Sequence, residues 1–317
     1  MKILITGIAG FIGSNLAEHL LSLGHEVVGI DSFTDYYDPA LKKLNAADIT
    51  AKGAIIYNKD LATDDLTEPL DNVEMIYHLA GQPGISATTS FEKYLHNNVV
   101  ATHKLINAAA SLPTLKCFVN TATSSVYGAH ATDSEGVMPK PTSYYGVTKL
   151  TAEQLVMARQ REDGFPACSI RIFSIYGPRE RPDKLFPRVI KSILLNKPFT
   201  LFAGSEHHSR SFTFVEDAIG GYVAVLNNYQ AAIGEIFNIG SETEFSTGEA
   251  IEIIEGVLGK KAMKKIGPKR PGDQLRTCAN ISKAKRMLGY SPKTKLEEGL
   301  SIEAAWFQEK IMTEAVI

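Results

Sequence analysis

Thr6-Gly7-Ile8-Ala9-Gly10-Phe11-Ile12-Gly13 lies between a short apolar run, residues 3–6, and a longer helical pattern, residues 11–23. This order predicts a buried strand, a tight glycine turn and a helix of about three turns. Free backbone N–H groups and the positive end of the helix dipole would meet at one point, where a pyrophosphate can bind. The spacing is GxxGxxG and not the GxGxxG of the general dinucleotide fingerprint, so the turn taken alone also fits a structural role.

Asp31 ends the next apolar run, residues 27–31, and stands shortly after the glycine turn. A carboxylate at this end of a strand can accept hydrogen bonds from the adenosine ribose hydroxyls and would repel a 2′-phosphate. No Arg or Lys stands among residues 32–37 to reverse that preference. Asp31 could also be an ordinary turn residue at a strand end. Together with the glycine turn, it favours NAD over NADP.

Short apolar runs alternate with helical patterns through the first half of the chain, which is typical of βαβ units. The sequence therefore predicts an α/β fold with a Rossmann-type, doubly wound parallel sheet. Several prolines follow residue 173 and the elements become shorter, so we place a domain change there. We expect an NAD-binding domain over residues 1–173, with 211–240 returning to the sheet, and a smaller mixed α/β substrate domain over 174–317. The predicted strands of the sheet are residues 3–6, 27–31, 54–58, 75–79, 117–121 and 167–173. The sequence also predicts a helix over residues 92–110, a strand over 211–215, and a helix over 247–258 that Ser246 and Glu249 would cap.

Tyr145 and Lys149 stand four residues apart at the start of a predicted helix, residues 145–161, and would share one face of it. The lysine charge would favour the phenolate and lower the tyrosine pKa from ~10 toward neutrality, which suits a general base for a sugar hydroxyl. Tyr144 would be rotated away from the lysine. A Tyr-x-x-x-Lys match is weak by itself, because the chain has 12 tyrosines.

The run Thr121-Ala122-Thr123-Ser124-Ser125 gives that pair its context. It directly follows a predicted strand, at the carboxyl edge where such sheets bind ligands, and its hydroxyls could hold the reacting oxygen. Without the tyrosine and lysine it would fit a polar turn between a strand and a loop.

The amino-acid composition limits the classes of partner and the cellular compartment that fit this protein. Lys plus Arg is 33 against 35 for Asp plus Glu, a formal charge of -2, which argues against nucleic acid and membrane surfaces as partners. Three scattered cysteines argue against a disulfide framework, and we expect a cytoplasmic location. No apolar run reaches the ~18 residues of a membrane span. His207 and His208 read as a surface loop, since no neighbouring pattern of ligands supports a metal site.

The sequence resembles the extended short-chain dehydrogenase/reductases, and specifically the NAD-dependent epimerase/dehydratase family, which acts on nucleotide sugars. The resemblance covers nearly the whole chain. It rests on residues 6–13, 31, 60–61, 78–81, 98, 123–128, 145–149, 176–178 and 270–273.

The resemblance implies a role for each matched residue, and it implies a homodimer that packs through the helices beginning near Glu92 and Tyr145. The catalytic set would be Thr123, Tyr145 and Lys149. The residues implied to bind NAD are Gly7, Gly10, Phe11, Ile12, Gly13, Asp31, Asp60, Leu61, Leu79, Ala80, Asn98, Tyr145 and Lys149. Those implied to bind a UDP-sugar are Thr123, Ser124, Ser125, Ser174, Arg181, Arg210 and Arg270.

The implied reaction is a transient oxidation at C4 of the sugar. Tyr145 would remove the hydroxyl proton while C4 gives hydride to NAD, and the 4-keto sugar would turn over and take hydride back on its other face. Relatives that dehydrate carry Asp-Glu directly after the catalytic threonine, whereas this chain has Ser124 and Ser125. Epimerisation is therefore preferred to elimination.

The identity of the sugar stays open. Ser174 and the segment 176–183 are similar to the uronate 4-epimerases, which favours the pair UDP-glucuronate and UDP-galacturonate. Ser86 stands where those enzymes commonly have Arg, and Ser211 and Asn280 replace expected Asp residues. The alternatives are a 4-epimerase of UDP-glucose and UDP-galactose or of UDP-N-acetylhexosamines, a reductase or dehydratase of the same fold, and a non-catalytic NAD-binding protein.

Overall fold

The computed structural model describes residues 1–84, 88–269 and 272–312. Its strands are β1 (Lys2–Thr6), β2 (Glu26–Asp31), β3 (Ile55–Asn58), β4 (Met75–His78), β5 (Cys117–Thr123), β6 (His130–Ala131), β7 (Ala167–Ile172), β8 (Ile175–Tyr176), β9 (Phe199–Phe202), β10 (Ser209–Arg210), β11 (Thr213–Phe214), β12 (Ile236–Ile239), β13 (Phe245–Ser246), β14 (Lys264–Gly267) and β15 (Arg276–Thr277). Its helices are α1 (Phe11–Ser22), α2 (Pro39–Thr50), α3 (Thr67–Leu70), α4 (Phe91–Tyr94), α5 (Ala101–Ala109), α6 (Tyr144–Asp163), α7 (Leu185–Leu195), α8 (Val215–Asn227), α9 (Tyr229–Ala232), α10 (Thr247–Leu258), α11 (Ser282–Leu288) and α12 (Leu296–Trp306).

Seven parallel strands form the central sheet in the spatial order β12-β7-β5-β4-β1-β2-β3. The predicted Rossmann-type sheet is thereby confirmed. From β1 to β3, successive strands are added toward one edge of the sheet. From β4 to β12, the later strands are added toward the other edge. The strand order therefore reverses between β1 and β4, and sheets of this kind bind ligands in the crevice outside the carboxyl ends of the strands at such a point. Thr6 and His78 are paired in register at that crevice.

Both faces of the sheet are covered, which explains why its strands read as continuous apolar runs. Along β1, Ile3 and Ile5 belong to one buried cluster with α1 and α8, whereas Leu4 belongs to a second cluster with α5. This alternation is the period of two that a strand imposes. No helix among the described residues is long and apolar enough to cross a membrane.

The short strands outside the central sheet form three small sheets within the described residues. β13, β10, β15 and β6 make a sheet of four short strands, and β11 pairs with β8 and β14 with β9. β12 lies at the edge of the central sheet, although it comes late in the chain. The proposed boundary at residue 173 stays a prediction.

Several predicted elements have their expected bounds, and others differ. The helix over 247–258 and its capping box, Ser246 with Glu249, are present as predicted. The strand expected over 211–215 is shortened to β11, Thr213–Phe214, because Val215 already begins α8. The helix expected from Glu92 to residue 110 contains a π-helical segment, Leu95–Val100, between α4 and α5.

Candidate active site

A cavity of about 490 Å³ opens at the carboxyl edge of the sheet, over the ends of β1, β4 and β5. It brings together nearly all of the residues that the sequence analysis singled out, from both halves of the chain. These lining residues are Gly7, Gly10, Phe11, Ile12, Gly13, Asp31, Asp60, Leu61, Leu79, Ala80, Thr123, Ser124, Ser125, Tyr145, Lys149, Ser174, Arg181 and Arg210. Asn98 does not line the cavity, and Arg270 and Ser86 lie outside the described residues.

The glycine turn forms a cradle that side chains would fill. Gly7 has a φ of +71°, and a Cβ built on it would lie 2.9 Å from the backbone nitrogen of Ala80. A Cβ on Gly13 would lie 2.2 Å from the carbonyl oxygen of Gly7. α1 begins just after Gly10, with no side chain capping its first N–H groups and no acidic residue in its first turn. The residues present therefore fit a dinucleotide whose pyrophosphate approaches the backbone at a helix N-terminus.

Asp31 is buried at the end of β2 beside this cradle. Its Oδ2 accepts a hydrogen bond from the backbone N–H of Ala9 at 3.1 Å, and its Oδ1 accepts one from Phe33 at 2.9 Å. Each carboxylate oxygen can accept a second bond, so both can still receive ribose hydroxyls. Lys42 of α2 places its Nζ 4.0 Å from Oδ1. No motif marks Lys42 in the sequence, and it lies beyond residues 32–37, where no basic residue stands.

Asn98 supports the cavity wall from behind. It belongs to the π-helical segment, a local distortion that is frequent at functional sites. Its Oδ1 accepts from the backbone N–H of Gln82 at 2.7 Å, and its Nδ2 donates to Thr148 at 3.0 Å. Asn98 thereby links the loop after β4 to α6, whereas the family resemblance implies a contact with the cofactor.

The first turn of α6 positions the acid–base residues at the cavity. Ser143 caps the helix by accepting from the N–H of Gly146 at 3.1 Å. A Cβ on Gly146 would lie 2.8 Å from the carbonyl oxygen of Ser125, so a glycine is needed for α6 to approach the hydroxyl run so closely. Tyr145 lines the cavity, whereas Tyr144 is 61% exposed. Of these neighbouring tyrosines, only Tyr145 faces the site.

The electrostatics of this set differ from the sequence-based expectation. Burial raises the pKa of Tyr145, while a hydrogen bond from Thr123 and the charge of Arg181 oppose the rise. Burial also lowers the pKa of Lys149 to about 8. The expectation that the lysine brings the tyrosine toward neutrality is therefore wrong for the chain by itself, because the loss of solvent outweighs the favourable charges.

Hydroxyl groups line the cavity next to Tyr145. Thr123 ends β5, and its Oγ1 accepts from the backbone N–H of Ser125 at 3.2 Å. Ser174 has a φ of +31°, a backbone conformation that a serine rarely adopts and that is common at functional sites. Gln274, which the sequence analysis missed, donates from its Nε2 to the carbonyl oxygens of Ser124 at 3.2 Å and Gly128 at 3.0 Å.

Arginines stand at the outer part of the cavity. The guanidinium of Arg181 lies over the ring of Tyr36 at 5.3 Å and pairs with Asp183 at 3.2 Å. Arg210 pairs with Asp273 at 3.4 Å, and it also donates to the carbonyl oxygen of Gln274. Guanidinium groups of this kind can bind a diphosphate through several hydrogen bonds at once. Further lining residues that were not expected from the sequence include Lys42, Gln82, Arg188 and Gln274. The expectation of a surface loop is wrong for His208, which lines the cavity with its Nδ1 3.4 Å from Asp273 of the matched segment 270–273.

No group of three or more His, Cys, Asp or Glu residues that could hold a metal ion is present in residues 1–84, 88–269 and 272–312.

Comparison with known proteins agrees with this geometry. The chain is 40% identical over 311 residues to the uncharacterized UDP-glucose epimerase YtcB of Bacillus subtilis (strain 168), covering 96% of this chain and 98% of that one. It is 31% identical to UDP-glucuronate 4-epimerase 4 of Arabidopsis thaliana, covering 97% and 75% respectively. Its structure is similar, with a TM-score of 0.93, to that of UDP-glucuronic acid 4-epimerase from Bacillus cereus in complex with UDP-glucuronic acid and NAD. That structure is 38% identical and covers 98% of this chain and 99% of its own. A family model, the NAD dependent epimerase/dehydratase family, matches residues 3–240, and the chain therefore belongs to that family.

Proposed function

We propose that this protein is an isomerase, an NAD-dependent 4-epimerase of UDP-sugars, and that UDP-glucuronate is its favoured substrate. The observation that carries the proposal is the meeting of Thr123, Tyr145 and Lys149 with the glycine cradle in one cavity. The likeness to a uronate 4-epimerase solved with both ligands supports it. Asp31 beside the cradle favours NAD as the cofactor.

The residues of the site would control position and proton transfer. Bound NAD would supply the chemistry of taking two electrons and a hydrogen from C4 and returning them. Tyr145, as phenolate, would accept the proton of the 4-hydroxyl, while Thr123 would hold the same oxygen by a hydrogen bond. Since burial raises the pKa of Tyr145, the phenolate needs nearby positive charge, which Lys149, Arg181 and the oxidised nicotinamide would provide.

The preference for a uronate rests on the polar wall of the cavity. Thr123, Ser124, Ser125 and Ser174 all line it, and their hydroxyls can donate to a carboxylate. Hydrogen bonds to a charged acceptor are stronger than those to a neutral hydroxymethyl group. The wall also lacks the Asp-Glu pair of the dehydrating relatives, so it favours epimerisation over dehydration.

A neutral UDP-hexose is the second candidate substrate, since the Bacillus subtilis relative is named for UDP-glucose. Product analysis by mass spectrometry and NMR separates the two. UDP-glucuronate, UDP-glucose and UDP-N-acetylglucosamine are each incubated with the enzyme and catalytic NAD. The proposal predicts the highest kcat/KM with UDP-glucuronate, giving its C4 epimer. A higher kcat/KM with UDP-glucose would make UDP-glucose the favoured substrate. A dehydrated or reduced product would show that the enzyme is not an epimerase.

A homodimer and a cytoplasmic location are also part of the proposal. Apolar side chains remain exposed on α6 and on the helical stretch from α4 to α5, and these are Phe91, Leu95, Val100, Tyr144 and Val147. Such a patch is typical of an interface between subunits. Light scattering should give a dimer, with Val147→Glu shifting it toward monomers; a monomeric wild type would refute the dimer. Free thiols at all three cysteines are consistent with a reducing compartment.

A further inference from the structure

Lys149 is buried at the cavity, in surroundings that disfavour its charge. It is only 5% exposed, and burial lowers the pKa of its ammonium to about 8. At neutral pH such a group is close to losing its proton. A neutral amine would neither favour the phenolate of Tyr145 nor offer a charged donor to a ribose hydroxyl. The proposed function therefore needs something that keeps this lysine protonated.

Glu153 stands one helical turn after Lys149 on α6 and is fully buried. Arg171 of β7, 2% exposed, binds it with two hydrogen bonds, from Nη2 to Oε1 at 2.6 Å and from Nε to Oε2 at 2.9 Å. Ser169 donates to Oε2 at 3.2 Å. These hydrogen bonds fix the position of the carboxylate.

Arg171 is itself held from its other side. Its Nη1 donates to the hydroxyl of Tyr127 at 2.8 Å, and its guanidinium lies 4.9 Å from the centre of that ring. The Tyr127 hydroxyl in turn donates to Asn238 of β12 at 2.8 Å. The ion pair thus links α6 to two strands of the sheet, and Glu153 has little freedom to move away from Lys149.

Among the residues that the structure describes, the other titratable groups around Lys149 do not supply a negative charge. His78 of β4 has its pKa lowered to about 3, mainly by burial, and is neutral. Tyr145 precedes Lys149 on the same helix and is protonated in the chain alone, because its pKa is raised. Glu153 raises the pKa of Lys149, and it is the carboxylate that acts on this ammonium.

We propose that Glu153, held by Arg171, is a positioning residue whose carboxylate keeps the Lys149 ammonium charged inside the cavity. The inference rests on the proposed role of Lys149 in binding the cofactor. Glu153 touches neither substrate nor cofactor, and it acts through the lysine. A buried ion pair that only stabilised the fold would have no effect on the titration of the site.

The test measures the dissociation constant of NAD by calorimetry on the cofactor-free full chain between pH 6 and 10. In the wild type, binding should weaken roughly tenfold as pH rises through about 8, because Lys149 loses its charge. In Glu153→Gln, the amide can still accept from Arg171, and the midpoint should move to lower pH by about one unit. Glu153→Asp keeps the charge and should keep the wild-type midpoint.

Glu162→Gln, an exposed carboxylate farther along α6, is the matched control and should not move the midpoint. An unchanged midpoint in folded Glu153→Gln, with only the melting temperature lowered, would show that the ion pair is merely structural. If that variant does not fold, the wild type still decides, since NAD binding that is flat from pH 7 to 9 would overturn the inference. The assay uses no sugar, so its outcome does not depend on the substrate assignment.

Discussion

Tyr145 and Tyr144 are adjacent in the chain but have opposite surroundings, so they make a matched pair for mutation. Tyr145→Phe removes the hydroxyl that faces the cavity, and we predict a loss of kcat of about 10²–10⁴-fold with NAD still bound. Tyr144→Phe, at the exposed neighbour, should leave kcat unchanged. Steady-state kinetics and calorimetry with NAD measure both. A Tyr145→Phe enzyme with the wild-type kcat would show that Tyr145 is not the general base.

The residues of the functional site could be predicted from the sequence where they belong to a motif. The glycine turn, Asp31, Tyr145 and Lys149 all meet at the cavity. Lys42 and Gln274 could not be found in this way, because they reach the site from a distant helix and a loop. The charge state of Tyr145 also escaped prediction, since burial, which dominates its pKa, is a property of the folded chain.

At the scale of one element, the glycine turn and α1 give a sharp prediction. A Cβ on Gly13 would collide with the carbonyl oxygen of Gly7, so Gly13→Ala should displace the turn and weaken NAD binding at least tenfold. Gly220→Ala is the control, since that exposed glycine of α8 has open space around it. Alanine should stabilise α8 slightly there. An unchanged NAD affinity in Gly13→Ala would show that the glycine turn does not bind the dinucleotide.

The elements themselves were predictable to different degrees. Those with strong periodicity or caps, such as α10 with its capping box, were found at their true bounds. α2 was not predicted, although Asp38 caps it by accepting from Ala40 and Pro39 occupies its first turn. The π-helical segment had no sequence signal, and its Asn98 makes contacts with the loop after β4 and with α6 that depend on the folded chain.

At the scale of the whole molecule, a buried carboxyl pair joins the cavity wall to the C-terminal part of the chain. Glu180, between β8 and α7, and Glu303 of α12 are both buried, and their carboxyl groups affect each other's pKa. Burial raises the pKa of Glu180 to about 7, and burial together with Glu180 raises that of Glu303 further. The folded state therefore holds protons that the unfolded chain releases above its ordinary pKa of ~4.3.

This pair makes stability depend on pH. The contribution of the protonated pair to the free energy of unfolding is fully present below the pKa that these carboxyl groups have in the unfolded chain. It is lost as pH rises through about 7. Glu303→Gln keeps a hydrogen-bonding group without the second charge, so we predict that it raises the melting temperature at pH 8 by about 2 °C or more. The difference should shrink at pH 5. Calorimetry with Glu297→Gln, an exposed neighbour on α12, is the control. A variant less stable than wild type at pH 8 would contradict the prediction.

In the proposed reaction, the hydrogen at C4 of the sugar leaves and returns within one active site. The most direct test uses UDP-glucuronate with deuterium at C4, incubated in ordinary water with NAD equal to the enzyme concentration. Mass spectrometry and NMR of the product, with absorbance for NADH, are the readouts. We expect the C4 epimer with its deuterium retained and no accumulation of NADH. Loss of the deuterium to water, or NADH formed in step with product, would contradict it.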